Sequence, residues 1–262
     1  ACNGVKVKET TAPSKALSTA KYYAWQSEPV TSSPLMKGFD QAVSKTNSNS
    51  IKLVIFDWDG TISDSVARIV SSMQSAATEL TMPVPSYLEV KEIIGLGLTE
   101  ATFRLFPQAT REQVFQLQTR YSQHYRNEDS APCPFFPGVE ETLQDLKAEG
   151  YQLAVATGKS RAGLDRVLLS LGMEDFFHNS RCADETLSKP HPLMLEELLA
   201  EFGLPAEAAV MVGDTEFDME MAVNAGMPRI AVSYGAHHAD RLQTFKPLAC
   251  VDLFSEIKSS LY

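Results

Sequence analysis

Hydrophobic and polar positions change their spacing twice along the chain. A run of aliphatic and β-branched residues at 51–56 predicts a strand that is buried on both faces. From Val66 to Leu80, apolar residues recur every three or four positions, which predicts a helix with one apolar face. Further helical patterns follow at 86–94, 98–106 and 111–128. Beyond residue 137 helices and strands alternate, with helices predicted at 138–149, 160–171, 191–203 and 216–225 and strands at 152–156, 209–212 and 229–232.

This alternation predicts a doubly wound, Rossmann-like α/β fold with a parallel sheet. The purely helical stretch after the first strand is too long for an ordinary crossover connection, so we expect an inserted all-helical cap domain. The predicted core therefore comprises residues 51–65 and 132–262, and the predicted cap comprises 66–131. Residues 1–50 are rich in Ser, Thr, Ala and Lys and have no sustained period, which predicts a flexible tail.

Composition and charge exclude several classes of partner. The chain is 44% hydrophobic and carries a formal net charge of −10, which argues against binding to nucleic acid or to an anionic membrane. No apolar run approaches the roughly twenty residues of a membrane helix. The four cysteines are scattered without a Cys-x-x-Cys pair, which favours free thiols in the reducing cytoplasm. Residues 1–50 lack the apolar core of a signal peptide and the arginines of a transit peptide.

Polar clusters follow the predicted strands, at the point where each strand ends. Asp57 and Asp59 follow the first strand, Thr157-Gly158-Lys159 follows the second, and Gly213-Asp214-Thr215 follows a third, with Asp218 one helical turn further on. A loop before the 191–203 helix holds Ser188-Lys189-Pro190. Because the carboxyl ends of parallel strands meet at one edge of a sheet, we expect these side chains to converge there.

The converged set has the chemistry of a phosphate site with a metal. Three carboxylates, Asp57, Asp59 and Asp214, would bind a hard cation, and Mg²⁺ fits because it accepts few protein ligands beside phosphate and water. A lysine, a threonine and backbone amides would bind the phosphate, and a carboxylate can attack phosphorus directly. Each cluster also has an ordinary interpretation, such as an acidic turn at Asp59-Gly60 or a helix cap at Thr215.

At this level the chain resembles the haloacid dehalogenase superfamily, and within it the phosphatases with a helical cap, over residues 51–262. The superfamily's first motif, Asp-x-Asp-x-Thr, stands at 57–61, and its second-motif threonine matches Thr157. The third-motif lysine matches Lys189, and the fourth motif matches residues 213–218. The overall pattern, including residues 156–160, most resembles phosphoglycolate phosphatase-like enzymes.

The resemblance implies a role for each matched residue. Asp57 would be the nucleophile and a Mg²⁺ ligand. Asp59 would act as general acid and base, and its backbone carbonyl would bind the metal. The phosphoryl oxygens would be held by Thr157, Gly158 and Lys189. The metal site would be completed by Asp214, with Asp218 and Thr61 as supporting residues.

The same resemblance implies a Mg²⁺-dependent phosphatase that hydrolyses a small phosphorylated metabolite, with phosphoglycolate as a candidate, in a monomer or homodimer. Asp59 favours phosphate esters, since dehalogenases carry an aromatic residue and phosphonatases a small one at its position. Two alternatives stay open: a sugar-phosphate mutase of the same fold and a non-catalytic binding protein. The mutases carry a cap arginine shortly after a glycine, whereas residues 94–98 here are uncharged. A contact to a substrate carboxylate could come from one of four cap arginines, namely Arg104, Arg111, Arg120 and Arg126, although arginines at helical spacing among polar residues more often form a solvated face.

Overall fold

The computed structural model describes residues 50–127 and 132–261, and it contains one six-stranded parallel sheet. The strands are β1 (Leu53–Phe56), β2 (Gln152–Thr157), β3 (Asn179–Cys182), β4 (Ala209–Gly213), β5 (Arg229–Val232) and β6 (Ala249–Val251). Their spatial order is β3-β2-β1-β4-β5-β6, so β1 lies in the middle and the order reverses beside it. The parallel, doubly wound sheet is as predicted, and such reversals are where open α/β sheets bind ligands.

The helices are α1 (Val66–Glu79), α2 (Tyr87–Lys91), α3 (Leu98–Leu105), α4 (Arg111–Asn127), α5 (Val139–Ala148), α6 (Arg161–Leu171), α7 (Leu193–Phe202), α8 (Glu216–Asn224) and α9 (Ala239–Gln243). In the described part of the chain, no helix is both long enough and apolar enough to cross a membrane. The predicted tail, apart from Ser50, lies outside the described residues, as does the end of the predicted cap at 128–131.

Alternation along the central strands divides the core into two layers. Val54 and Phe56 of β1 belong to a hydrophobic cluster that includes residues of α5 and α6. Leu53 and Ile55 belong to a second cluster, which includes residues of α7 and α8. Successive side chains of a strand point to opposite faces, so a strand covered on both sides must be apolar throughout. This explains the unbroken hydrophobic run that precedes Asp57.

The four helices between β1 and α5 form a cluster of their own. Val70 and Met73 of α1, Val90 of α2, Ala101 of α3 and Leu117 of α4 are buried together. The helical insertion after β1 is therefore present, and we refer to α1–α4 as the cap helices. Its exact boundaries as a separate domain stay a prediction.

Strands β3 and β6 were not predicted from the sequence. They are the two edge strands of the sheet, and β3 consists of Asn179, Ser180, Arg181 and Cys182. An edge strand is half solvated and needs no apolar run, while β6 has only three residues. Neither strand therefore carries the hydrophobic signal on which the prediction rests.

Candidate active site

The polar strand ends converge at one edge of the sheet. Phe56 of β1 is in register with Val155 of β2 and Val212 of β4, so the residues that follow these strands emerge side by side. The backbone N–H of Asp57 donates to the carbonyl of Val212 at 2.9 Å, which extends the pairing by one residue. The predicted convergence of Asp57 and Asp214 follows directly from this register.

Three buried carboxylates meet at this edge: Asp57, Asp214 and Asp218. One oxygen from each lies within 4.8 Å of the others. Oδ2 of Asp57 is buried and has no hydrogen-bond partner among the described residues. Three clustered carboxylates with an unpartnered buried oxygen fit a hard divalent cation such as Mg²⁺, because its ligands are oxygens.

Lys189 lies between two of these carboxylates. Its ammonium donates to Oδ1 of Asp57 and Oδ1 of Asp218, both at 2.6 Å, and all three side chains are buried. Burial favours the uncharged form of the lysine, but Asp218 and Asp57 outweigh it and raise the pKa of Lys189. Burial raises the pKa of Asp57 well above its usual range, although Lys189 opposes this shift. One ammonium among three carboxylates leaves a negative site that is ready for a cation.

Asp218 also organises the start of α8. Its Oδ2 accepts hydrogen bonds from the backbone N–H and the hydroxyl of Thr215, at 3.0 and 2.7 Å, and the Thr215 hydroxyl accepts in turn from the Asp218 N–H. The predicted helix cap at Thr215 is therefore present. It fixes Asp218 so that the other carboxylate oxygen faces Lys189.

Asp214 is held by two donors and by two glycines. Oδ1 accepts from the Thr61 hydroxyl at 2.7 Å, and Oδ2 accepts from the Ala236 backbone N–H at 2.6 Å. A Cβ at Gly60, which has a φ of +86°, or at Gly235 would lie 2.3 Å from Asp214 atoms. Only glycine lets both loops approach the carboxylate this closely. Thr61 thus supports Asp214 through a direct hydrogen bond.

Burial, followed by the charge of Asp218, raises the pKa of Asp214 to about 7. An unfolded aspartate titrates near 4, so the folded protein binds the extra proton between about pH 4 and 7. We therefore expect the free energy of unfolding of the metal-free protein to fall as pH rises through that window. In Asp214→Asn this fall should be smaller. Thermal unfolding in a chelating buffer from pH 5 to 8 tests this. A difference between wild type and Asp214→Asn that stays constant with pH would contradict it.

Asp59 has surroundings different from those of Asp57. Its Oδ1 accepts from the Ser65 hydroxyl at 2.6 Å and lies 2.9 Å from Nζ of Lys159. The strand ends at Phe56 and the chain turns at Gly60. The carboxylate that clusters with Asp57 and Asp214 is therefore that of Asp218 and not that of Asp59. Asp57 and Asp59 both line one cavity, but each has its own hydrogen-bond partners.

Thr157 is the last residue of β2, and Gly158 follows it. The buried Thr157 hydroxyl accepts a hydrogen bond from the backbone N–H of Lys159 at 3.2 Å. Gly158 lines the cavity, and a Cβ there would lie 2.5 Å from the carbonyl oxygen of Leu96. The glycine is required by this close approach of the loop at Gly95-Leu96.

The cavity has a volume of about 590 Å³ and is lined by residues of both the sheet edge and the cap helices. Its cap lining includes Ile69 and Met73 of α1 and Tyr121 and Tyr125 of α4. The volume is in the range of ordinary small-molecule sites. The site can therefore hold a small organic molecule against the carboxylates.

Sequence reasoning missed the contacts that reach Asp59. Ser65 lies just beyond the first motif at 57–61, Lys159 follows the predicted second strand without an assigned role, and Tyr125 was not singled out. The adjacency of Lys159 to Thr157-Gly158 was the available signal for that residue. Among the cap arginines, Arg126 lines the cavity, whereas the Arg104 guanidinium lies over the Phe217 ring.

Comparison with known proteins defines the class. Residues 54–232 match the family described as haloacid dehalogenase-like hydrolase. The chain belongs to this family, as the motifs and the fold predict.

Curated relatives of the chain are named as phosphatases. "Probable phosphatase IndB" of Dickeya dadantii (strain 3937) is 38% identical over 209 residues, which cover 78% of this chain and 91% of the relative. "Phosphoglycolate phosphatase" of Yersinia pestis is 31% identical over 213 residues, covering 79% and 92%. The crystal structure of a predicted phosphoglycolate phosphatase from Haemophilus somnus 129pt has a TM-score of 0.73 and 28% identity, covering 80% of this chain and 97% of that one. By class, the chain is a phosphoric monoester hydrolase of the haloacid dehalogenase-like type.

Proposed function

We propose that the protein hydrolyses a small phosphate monoester in a Mg²⁺-dependent reaction through a phosphorylated Asp57. The observation that carries this proposal is the environment of the Asp57 carboxylate. One oxygen accepts from Lys189 at 2.6 Å, and the other is buried and unpartnered among the described residues. Asp57 lines the cavity, and a carboxylate with an oxygen that makes no hydrogen bond is suited to attack phosphorus.

Asp59 supplies the proton transfers. It lines the same cavity as Asp57, and its carboxylate is oriented by Ser65 and Lys159. In the first step the ester P–O bond breaks, the phosphoryl group passes to Asp57, and protonated Asp59 gives its proton to the leaving alkoxide. In the second step Asp59 takes a proton from water, and the water oxygen attacks phosphorus. The bond between phosphorus and Asp57 breaks, which frees inorganic phosphate and restores the Asp57 carboxylate.

The charge of the site supports the proposed requirement for a cation. Asp57, Asp214 and Asp218 outnumber the single ammonium of Lys189, and a phosphate monoester would add further negative charge. We propose that the Asp57 and Asp214 carboxylates hold the metal together with the backbone carbonyl of Asp59. Bound Mg²⁺ would polarise the phosphoryl oxygens and neutralise their charge. Asp218 would orient Lys189 toward the phosphoryl group, and Thr157 and Gly158 would bind its oxygens.

Within this class we propose phosphoglycolate as a candidate substrate, because relatives such as that of Yersinia pestis bear the name phosphoglycolate phosphatase. The mutase alternative is less well supported, since the loop that lines the cavity at Ile93–Leu96 carries no charged side chain. Cys133, Cys182 and Cys250 are free thiols, in keeping with the cytoplasmic location that stays a prediction. A monomer or homodimer also stays a prediction.

The proposal is tested by measuring phosphate release from p-nitrophenyl phosphate and from a panel of phosphorylated metabolites. We expect activity that disappears on chelation and returns with Mg²⁺. A wild-type protein that releases no phosphate from any of them with Mg²⁺ present would refute the proposal. Isomerisation of a sugar phosphate without release of phosphate would select the mutase.

A further inference from the structure

Two lysines lie near the carboxylates: Lys189 is buried, and Lys159 is mostly buried. Lys189 contacts two carboxylates, so its charge is fully compensated within the protein. Lys159 contacts one carboxylate, that of Asp59, and it lines the cavity. Its side chain is 12% exposed. Lys159 is therefore a largely desolvated ammonium at the wall of the substrate cavity.

The contacts of Lys159 leave it able to bind a further group. Nζ lies 2.9 Å from Oδ1 of Asp59 and donates to the Tyr125 hydroxyl at 3.3 Å, with the Tyr125 ring centroid 4.9 Å away. An ammonium has three N–H donors, and among the described residues these two contacts use two of them. Burial raises the pKa of Tyr125 far above its usual range, so its hydroxyl keeps its proton. The same hydroxyl also contacts Sγ of Cys133 at 3.9 Å.

Lys159 lies next to the residue that would protonate the leaving group. Asp59 is the residue proposed to protonate the ester oxygen, and Lys159 lies within 2.9 Å of its carboxylate. The phosphoryl group itself would lie at the carboxylate of Asp57, which lines the same cavity as Asp59 and Lys159. A substituent on the carbon next to the ester oxygen would therefore come within reach of the Lys159 ammonium and the Tyr125 hydroxyl.

Other cations of the cavity are less suited to this task. Arg126 and Arg166 are exposed, and the Arg68 guanidinium lies over the Tyr125 ring at 5.9 Å. Water and salt screen an exposed charge, whereas a buried ammonium gains more from an anionic partner. Burial also makes Lys159 selective, because it discriminates against a neutral group that cannot replace its lost hydration.

We propose that Lys159 determines specificity by binding an anionic group, such as a carboxylate, next to the ester oxygen, with Tyr125 positioning its ammonium. This inference rests on the proposed phosphatase activity. The proposed subsite combines Lys159, which follows β2, with Tyr125 of α4. It is therefore assembled only when this cap helix lies over the sheet edge.

The test compares two substrates that differ only in that group: phosphoglycolate, which has a carboxylate, and 2-hydroxyethyl phosphate, which has an alcohol. For wild type we expect kcat/KM to be higher for phosphoglycolate. Lys159→Met should lower the ratio of the two values about 10- to 100-fold, since hydrogen bonds to charged groups contribute this much. The ratio for Lys159→Arg should lie between those of Lys159→Met and wild type. Tyr125→Phe should lower the ratio by a smaller factor than Lys159→Met does.

The ratio does not depend on the fraction of enzyme that is folded, so a poorly folding variant does not mimic the effect. As a matched control, Arg166→Met removes an exposed cation of the cavity and should change the ratio by less than about threefold. Equal losses on both substrates in Lys159→Met, or no wild-type preference for the carboxylate, would overturn the inference. If p-nitrophenyl phosphate is still hydrolysed in a Mg²⁺-dependent manner, the proposed function survives that outcome. Inactivity of the wild-type protein on these three substrates and on the rest of the metabolite panel would refute the proposed function.

Discussion

Replacing Asp57 by asparagine should lower kcat/KM for a phosphate monoester by at least about 10⁴-fold, as loss of a nucleophile typically does. The amide cannot form the phosphorylated intermediate, although it nearly matches the carboxylate in shape. Steady-state phosphate release by purified protein measures this directly. Retention of a tenth of the wild-type activity would exclude Asp57 as the nucleophile.

The same variant should not lose stability. Burial and the charges of Asp218 and Asp214 disfavour the ionised form of Asp57, and Lys189 keeps its other partner at 2.6 Å. Removing a buried charge from a site with excess negative charge relieves repulsion, so the free energy of unfolding of the metal-free protein should stay the same or rise. Asp64→Asn is the matched control, because Asp64 lies in the same segment and is exposed. It should affect neither activity nor stability.

Mg²⁺ should stabilise the folded protein, and Asp214 should be required for the effect. A ligand that binds only the folded state at 100 times its dissociation constant raises the free energy of unfolding by about 2.7 kcal/mol. Asp214→Asn removes one of the proposed metal ligands while an amide can still pair with Thr61 and Ala236. We therefore expect this variant to fold but to lose most of the Mg²⁺-dependent rise in melting temperature.

Scanning calorimetry of chelated protein, with and without added Mg²⁺, measures this difference. Asp64→Asn again serves as the control and should respond to Mg²⁺ as wild type does. An equal rise in Asp214→Asn and wild type would show that the metal binds without Asp214, which would contradict the proposed site.

Much of the sheet edge could be predicted from the sequence, because parallel strands place their carboxyl ends together whatever lies between them. Asp57 and Asp214 come directly after apolar strands, so the pattern alone indicates that they converge. The edge strands β3 and β6 could not be predicted, since β3 is polar and β6 has three residues. Their positions depend on hydrogen bonding to a sheet that already exists.

The pairing of charges at the site could not be predicted in the same way. That Lys189 contacts Asp218 as well as Asp57 depends on how Thr215 caps α8. The contact between Lys159 and Tyr125 depends on how α4 packs over the sheet edge. A local sequence pattern does not predict such packing. Tertiary packing determines which side chains of an amphipathic helix face a cavity.

The central claim is that Asp57 carries the phosphoryl group while Asp59 serves as acid and base. It is tested by mixing Asp59→Asn with p-nitrophenyl phosphate and Mg²⁺, quenching in acid and mapping the phosphorylated peptide by mass spectrometry. An aryl phosphate needs little help from an acid in the first step, whereas the second step needs a base, so the intermediate should accumulate. We predict a phosphoryl group on Asp57. Phosphate release with the phosphoryl group found on another residue, or with none trapped on the enzyme, would contradict the account.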